Sequence, residues 1–135
     1  MNILGVNHIT IAVSDVEEAF RFYTELLGLV PVMKSEVAAY VSAGGAWIAL
    51  VADENAGGSN QSHVAFTVDE DEFAGAVEEL KRAKVREWRK LGTEGESFFF
   101  LDPSGNKLEL HVGSLRDRLA HGRLYWADKV QWYEG

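Results

Sequence analysis

The sequence predicts an α+β fold built from two copies of one βαβββ unit, and three observations carry that expectation. First, His63-Val64-Ala65-Phe66-Thr67-Val68 matches His8-Ile9-Thr10-Ile11-Ala12-Val13 position for position, at an offset of 55 residues. Both runs alternate as strands do. Second, an acidic helix start with apolar residues at helical spacing follows each run. These residues are Val16, Ala19, Phe20, Tyr23, Leu26 and Leu27 in the first copy, and Phe73, Ala76, Val77 and Leu80 in the second. Third, three short strand candidates close each copy, so the whole pattern recurs inside one chain.

The elements follow in order. From Gly5 to Val13, Ile9, Ile11 and Val13 point one way and His8, Thr10 and Ala12 the other. Ser14-Asp15-Val16-Glu17 has the form of a capping box, and Gly28 is placed to end the helix. Strands are expected over Leu29–Met33, Ala39–Ser42 and Ala46–Val51. The polar, glycine-rich stretch after them reads as a linker. The second copy supplies Val85–Leu91, Ser97–Leu101 and Lys107–Val112, with Asp102-Pro103-Ser104-Gly105 reversing the chain between the last two. A short helix is expected from Ser114 to Gly122, with Ser114 as its N-cap. Module 1 thus spans about 5–52, the linker 53–61, module 2 about 62–113, and the C-terminal helix and tail 114–135, all in a single domain. The tail carries Tyr125, Trp126, Trp132 and Tyr133, which are expected to pack on this subunit or another.

Composition narrows the function. The chain has 135 residues, 47% of them hydrophobic, enough for one proper core. With 13 basic and 21 acidic side chains its net charge is −8, which disfavours nucleic acid and anionic membranes as partners. There is no cysteine, hence no disulfide, no thiolate metal site and no nucleophilic thiol. The opening MNILGVNHITIAV lacks the basic segment and long apolar run of a secretory signal, so a soluble cytoplasmic protein is expected.

The repeat also points to a site. Glu109 is a carboxylate in mid-strand, between Leu108 and Leu110. If Trp47-Ile48-Ala49-Leu50 is matched to Lys107-Leu108-Glu109-Leu110, Ala49 is its counterpart in the first copy. Two halves facing each other would then gather His8, His63 and Glu109, with one position unoccupied. Two imidazoles and a carboxylate suit a divalent first-row metal with coordination positions left open for catalysis.

At this point the sequence resembles a family. The duplicated unit with its His…His…Glu set is similar to the vicinal oxygen chelate superfamily, which has a glyoxalase-like fold. The resemblance is closest to its fosfomycin-modifying thiol transferases, the glutathione-using branch in particular. It rests on NHITIAV, AWIAL and VREWRKLGTEGESFFFLDPSGNKLELHVGSLRDRL, and runs from about Gly5 to Arg123. The resemblance implies a Mn²⁺ site with His8, His63 and Glu109 as ligands, where a low-molecular-weight thiol such as glutathione opens the epoxide of fosfomycin or a related small anionic epoxide. It implies that Thr10 lies beside the metal, that Arg89, Arg118 and Lys90 bind the phosphonate, and that Trp47 and Tyr40 stand around the substrate. It further implies a K⁺ site in the loop 92–97, through Thr93, Glu94, Gly95 and Ser97. The assembly implied is a domain-swapped homodimer, with His8 from one subunit and His63 and Glu109 from the other.

The chain departs from the family at a few places. Arg89 replaces a lysine, Phe99 stands where a tyrosine hydroxyl usually contacts the phosphonate, and Gln61 stands where a tyrosine commonly precedes the second histidine. Ala38 occupies the place of the carboxylate that the hydrolase branch needs, with Glu36 two residues away, which disfavours water as nucleophile. The competing functions are an epoxide hydrolase, isomerase or ring-cleaving dioxygenase of the same superfamily, or a drug-sequestering binding protein. Sequestering members lack the metal triad.

Overall fold

The structure is a computed structural model describing residues 1–90, 96–126 and 130–133. The first module runs β1 (His8–Val13), α1 (Val16–Arg21), β2 (Val30–Lys34), β3 (Ala38–Ala43) and β4 (Ala46–Ala52). The second runs β5 (Val64–Thr67), α2 (Glu70–Arg82), β6 (Glu87–Arg89), β7 (Ser97–Leu101) and β8 (Lys107–His111). Helix α3 (Leu115–Tyr125) follows. Each module forms one four-stranded sheet, ordered β1-β4-β3-β2 and β5-β8-β7-β6. In each, the first strand pairs in parallel with the last and the other pairs are antiparallel. The α+β fold of two βαβββ units is therefore as the repeat predicts. The registers coincide as well: Thr10 pairs with Ala49, and Ala65 pairs with Glu109.

Period-two alternation decides where the core lies. Ile11, Val13, Ala39, Val41, Ile48 and Leu50 of the first sheet are buried in one cluster with Phe98, Phe100, Leu108 and Leu110 of the second. Val16, Ala19 and Tyr23 from the first helical segment and Leu80 from α2 complete it. Residues at the alternate strand positions face away from this shared core. His8, Thr10, His63, Ala65 and Thr67 are all exposed.

The β7–β8 turn fastens the two modules together. Asp102, 1% exposed, accepts from the Tyr23 hydroxyl (2.8 Å), the Ser104 and Asn106 backbone N–H groups (2.9 and 2.8 Å) and Asn106 Nδ2 (2.8 Å). Asn106 Nδ2 spends its other hydrogen on the Ala12 carbonyl at 2.7 Å, which ties the turn to β1. A buried carboxylate is tolerated because each of its lone-pair directions is met. The linker closes over this turn at Gly57, whose φ is +93° and where a Cβ would stand 2.8 Å from the Ser104 carbonyl oxygen.

Three local features differ from the sequence expectation. The first helix is capped by Asp15, which accepts from Glu18 N–H (2.9 Å), and not by Ser14. Ser14 is engaged elsewhere, its N–H donating to Ser104 Oγ at 2.9 Å. The helix ends in a π-helical turn over Phe22–Leu26, where Leu27 N–H reaches back to the Phe22 carbonyl. Helix α3 runs on to Tyr125, with the expected Ser114 cap and a capping box closed by Asp117. No described helix is long and apolar enough to cross a membrane.

Candidate metal centre

The first half of the site lies on the outward face of the first sheet. His8 pairs with Trp47, and Thr10 pairs with Ala49, which in turn pairs with Tyr40. All of these residues therefore share one face. The His8 ring lies 4.4 Å from the Trp47 ring, and Tyr40 meets Trp47 edge-on at 5.1 Å. His8 Nδ1 donates to Asn7 Oδ1 at 2.7 Å, which leaves Nε2 with its lone pair outward.

The second half lies on the outward face of the second sheet. His63 Nδ1 is 2.9 Å from the Gln61 carbonyl, an oxygen that can only accept, so Nδ1 carries the proton. The lone pair on Nε2 then faces Glu109 Oε1 at 2.9 Å. Two acceptors at that separation need a proton or a cation between them. Glu109 is buried, and its other oxygen accepts from Ser97 Oγ at 2.7 Å. Ser97 accepts in turn from His111 Nδ1 at 2.7 Å, and that nitrogen is also 3.1 Å from Glu109 Oε2. The carboxylate is thus turned so that Oε1 is presented beside His63. In both histidines Nδ1 is held by an oxygen, as in metal-bound imidazoles, while Nε2 of His63 is turned to the Glu109 carboxylate. The donor set fits a divalent first-row cation.

The structure groups His8, Thr10, Trp47 and Tyr40 on one sheet and His63, Glu109, Ser97 and Arg89 on the other. Within one chain it does not gather His8, His63 and Glu109, the three candidate ligands. Among the described residues, no three His, Asp or Glu side chains lie close enough to hold a metal ion. Arg118 is exposed on α3, and Lys90 is exposed just beyond β6. Thr93, Glu94 and Gly95 of the expected K⁺ loop lie outside the described residues. Ser97, expected in that loop, points its hydroxyl at Glu109. Sequence reasoning missed His111, Asn7, the Gln61 carbonyl and the Ser97 hydroxyl as supports of the candidate ligands. Only His111 left a signal, by sharing the Glu109 face.

The profile of the Glyoxalase/Bleomycin resistance protein/Dioxygenase superfamily matches residues 5–110. The chain belongs to this superfamily. Within it, the chain is 44% identical to "Glutathione transferase FosA" of Serratia marcescens, the match covering 86% of each protein. It is 38% identical to "Metallothiol transferase FosB" of Staphylococcus haemolyticus, over 88% of this chain and 91% of that one. Solved structures of superfamily members superpose as well. The fosfomycin resistance protein FosX of Listeria monocytogenes, complexed with Mn(II) and sulfate ion, matches with a TM-score of 0.77 at 26% identity, over 89% of this chain and 98% of that one. FosX of Mesorhizobium loti gives 0.75 at 27% identity, over 87% and 99%.

Proposed function

We propose that this chain is a divalent-metal-dependent thiol transferase that opens the epoxide of fosfomycin, or of a related small anionic epoxide. The observation that carries the reading is the facing pair of acceptors, His63 Nε2 and Glu109 Oε1, 2.9 Å apart, with His63 Nδ1 and Glu109 Oε2 each tied back by the protein. His8, held in the same way by Asn7, supplies the third ligand from a second copy of the chain. Mn²⁺ is the ion of choice, in keeping with the manganese complex of the FosX relative. When bound, the ion acts as a Lewis acid on the epoxide oxygen. A dimer is required because the two ligand faces point away from the shared core of one chain.

The residues of the chain divide the remaining work. Thr10 shares the His8 face and donates a hydrogen bond to the epoxide oxygen as charge builds there, keeping its own proton. Arg89, Lys90 and Arg118 offset the phosphonate charge, which a protein of net charge −8 must do locally. Trp47 and Tyr40 wall the site. The thiol sulfur bonds to one epoxide carbon, that carbon's bond to oxygen breaks, and the thiol proton ends on the new hydroxyl. The loop 92–97 binds K⁺ through Thr93, Glu94, Gly95 and Ser97, so turnover rises when K⁺ replaces Na⁺ at constant ionic strength.

Incubation of the protein with Mn²⁺, fosfomycin and a panel of thiols, read by product mass spectrometry, tests the reading. A thioether adduct is expected. A diol formed without thiol incorporation would make the chain a hydrolase, and intact fosfomycin with every thiol would overturn the assignment.

A further inference from the structure

The chain lacks a hydroxyl at Phe99, and the structure shows what stands there in its place. Strand β6 pairs Glu87 with Phe100 and Arg89 with Phe99, so Trp88 is an extra residue, a β-bulge. Regular alternation from Glu87 would have turned Arg89 to the opposite side. The bulge sets it against Phe99, which pairs on its other side with Glu109. Arg89, Phe99 and Glu109 thus form one row across three strands, on the ligand face. The Arg89 guanidinium lies over the Phe99 ring, 5.0 Å from its centroid. The ring itself is held in place: Phe99 is buried, with Trp88 edge-on at 5.0 Å and His63 edge-on at 6.2 Å. No carboxylate among the described residues pairs with Arg89.

We propose that Phe99 is the positioning residue for Arg89, and that their stack makes a preset two-pronged oxyanion clamp beside the Glu109 side of the metal site. The face of a phenyl ring is electron-rich and attracts a guanidinium lying over it. A guanidinium held over the ring can turn its N–H groups to two oxygens of a phosphonate, which a flexible ammonium cannot match in geometry. The aromatic ring therefore contributes to anion binding without touching the anion. This proposal rests on the transferase reading for its substrate class, phosphonate, but its test does not depend on turnover.

The test is calorimetric titration of methylphosphonate into the Mn²⁺-loaded protein, for the natural sequence, Phe99→Leu, Phe99→Tyr, Arg89→Lys and Phe99→Leu combined with Arg89→Lys. Phe99→Leu is expected to weaken binding by about three- to tenfold, the strength of a partly desolvated cation–π contact. Phe99→Tyr, which keeps the ring face, is expected to bind at least as well as the natural sequence. In the Arg89→Lys background, Phe99→Leu is expected to change affinity by no more than about twofold. With fosfomycin, Phe99→Leu raises KM and leaves kcat nearly unchanged. Equal weakening by Phe99→Leu in both backgrounds, or none in either, would overturn the proposal. So would natural-sequence protein that does not bind methylphosphonate. If Phe99→Leu fails to fold, Arg89→Lys decides, because undiminished affinity there shows that the fork is not used. Methylphosphonate has no epoxide, so the two readings fail separately. Lost coupling with intact turnover removes only the stack, and intact coupling without turnover removes only the transferase.

Discussion

Glu109 occupies a place that strand burial would ordinarily deny a carboxylate. It is tolerated there because Ser97 and His111 meet one oxygen and His63 stands at the other. His8→Ala, His63→Ala and Glu109→Ala are each expected to lose stoichiometric Mn²⁺, read by metal analysis after gel filtration. Retention by any of them would displace that residue from the ligand set. Ser97→Ala leaves the ligands in place but frees Glu109 Oε2 from its hydroxyl donor. Mn²⁺ affinity is expected to fall by about 10- to 100-fold, measured by the free-ion electron paramagnetic resonance signal, and an unchanged affinity would make Ser97 a bystander. The candidate ligands come from the sequence, through the repeat and the misplaced Glu109, and the structure adds the pairing of His63 with Glu109. The supports of these candidates were not legible there, because Asn7, Gln61 and Ser97 act through single atoms that polar loops and strand ends supply everywhere. Phe99 and Arg89 were visible as departures. Their stack was not, since it depends on a bulge at Trp88 that leaves no trace in a hydropathy pattern.

At the scale of elements, the β7–β8 turn acts as a buried latch on the first helical segment. Burial, reinforced by the adjacent Asp102 carboxylate, pushes the Tyr23 phenol far above the ordinary tyrosine range. Its proton contributes stability fully at pH below about 10, and that contribution fades as pH rises through the folded-state value. Of the four tyrosines, one is therefore expected to resist ionisation in an alkaline absorbance titration until the protein unfolds. Tyr23→Phe removes a hydrogen bond to a buried carboxylate and is expected to cost about 1.5–3 kcal/mol, measured by urea denaturation. At the other end of the chain, hydrogen bonds from the Ser114 N–H and hydroxyl hold the exposed Asp117 carboxyl below its usual range. A depressed value stabilises the α3 start above about pH 4, and the effect is lost as pH falls through the folded-state value. Amide shifts at 114–118 are expected to fray on acidification in the natural protein and not in Asp117→Asn. Sequence placed the eight strands and three α-helices of the described residues, because periodicity and turn residues are local signals. It misplaced the first cap, because Ser14 was drawn off by Ser104, a contact 90 residues away in sequence.

For the whole molecule, one topological fact governs the rest. The two sheets share a core, so the faces that carry the candidate ligands look outward from it. Both histidines stand at sheet edges, His8 on β1 and His63 beside β5. Helix α3 is exposed along nearly its whole length, and only Gly122 is buried, beneath the Trp126 ring. A helix so poorly packed within its own chain depends on further contacts for stability. In the proposed dimer a second copy would meet all three needs, covering the candidate ligand faces, joining the edges and seating α3. The most direct measurement mixes two inactive proteins, His8→Ala and Glu109→Ala, under conditions in which subunit exchange is shown by a mass-tagged partner. If His8 completes the site of the other subunit, each heterodimer regains one intact His8–His63–Glu109 set, and fosfomycin adduct formation returns to up to half the natural rate per heterodimer. If exchange is demonstrated and no activity returns, His8 and Glu109 serve the same subunit, and the shared metal centre is wrong.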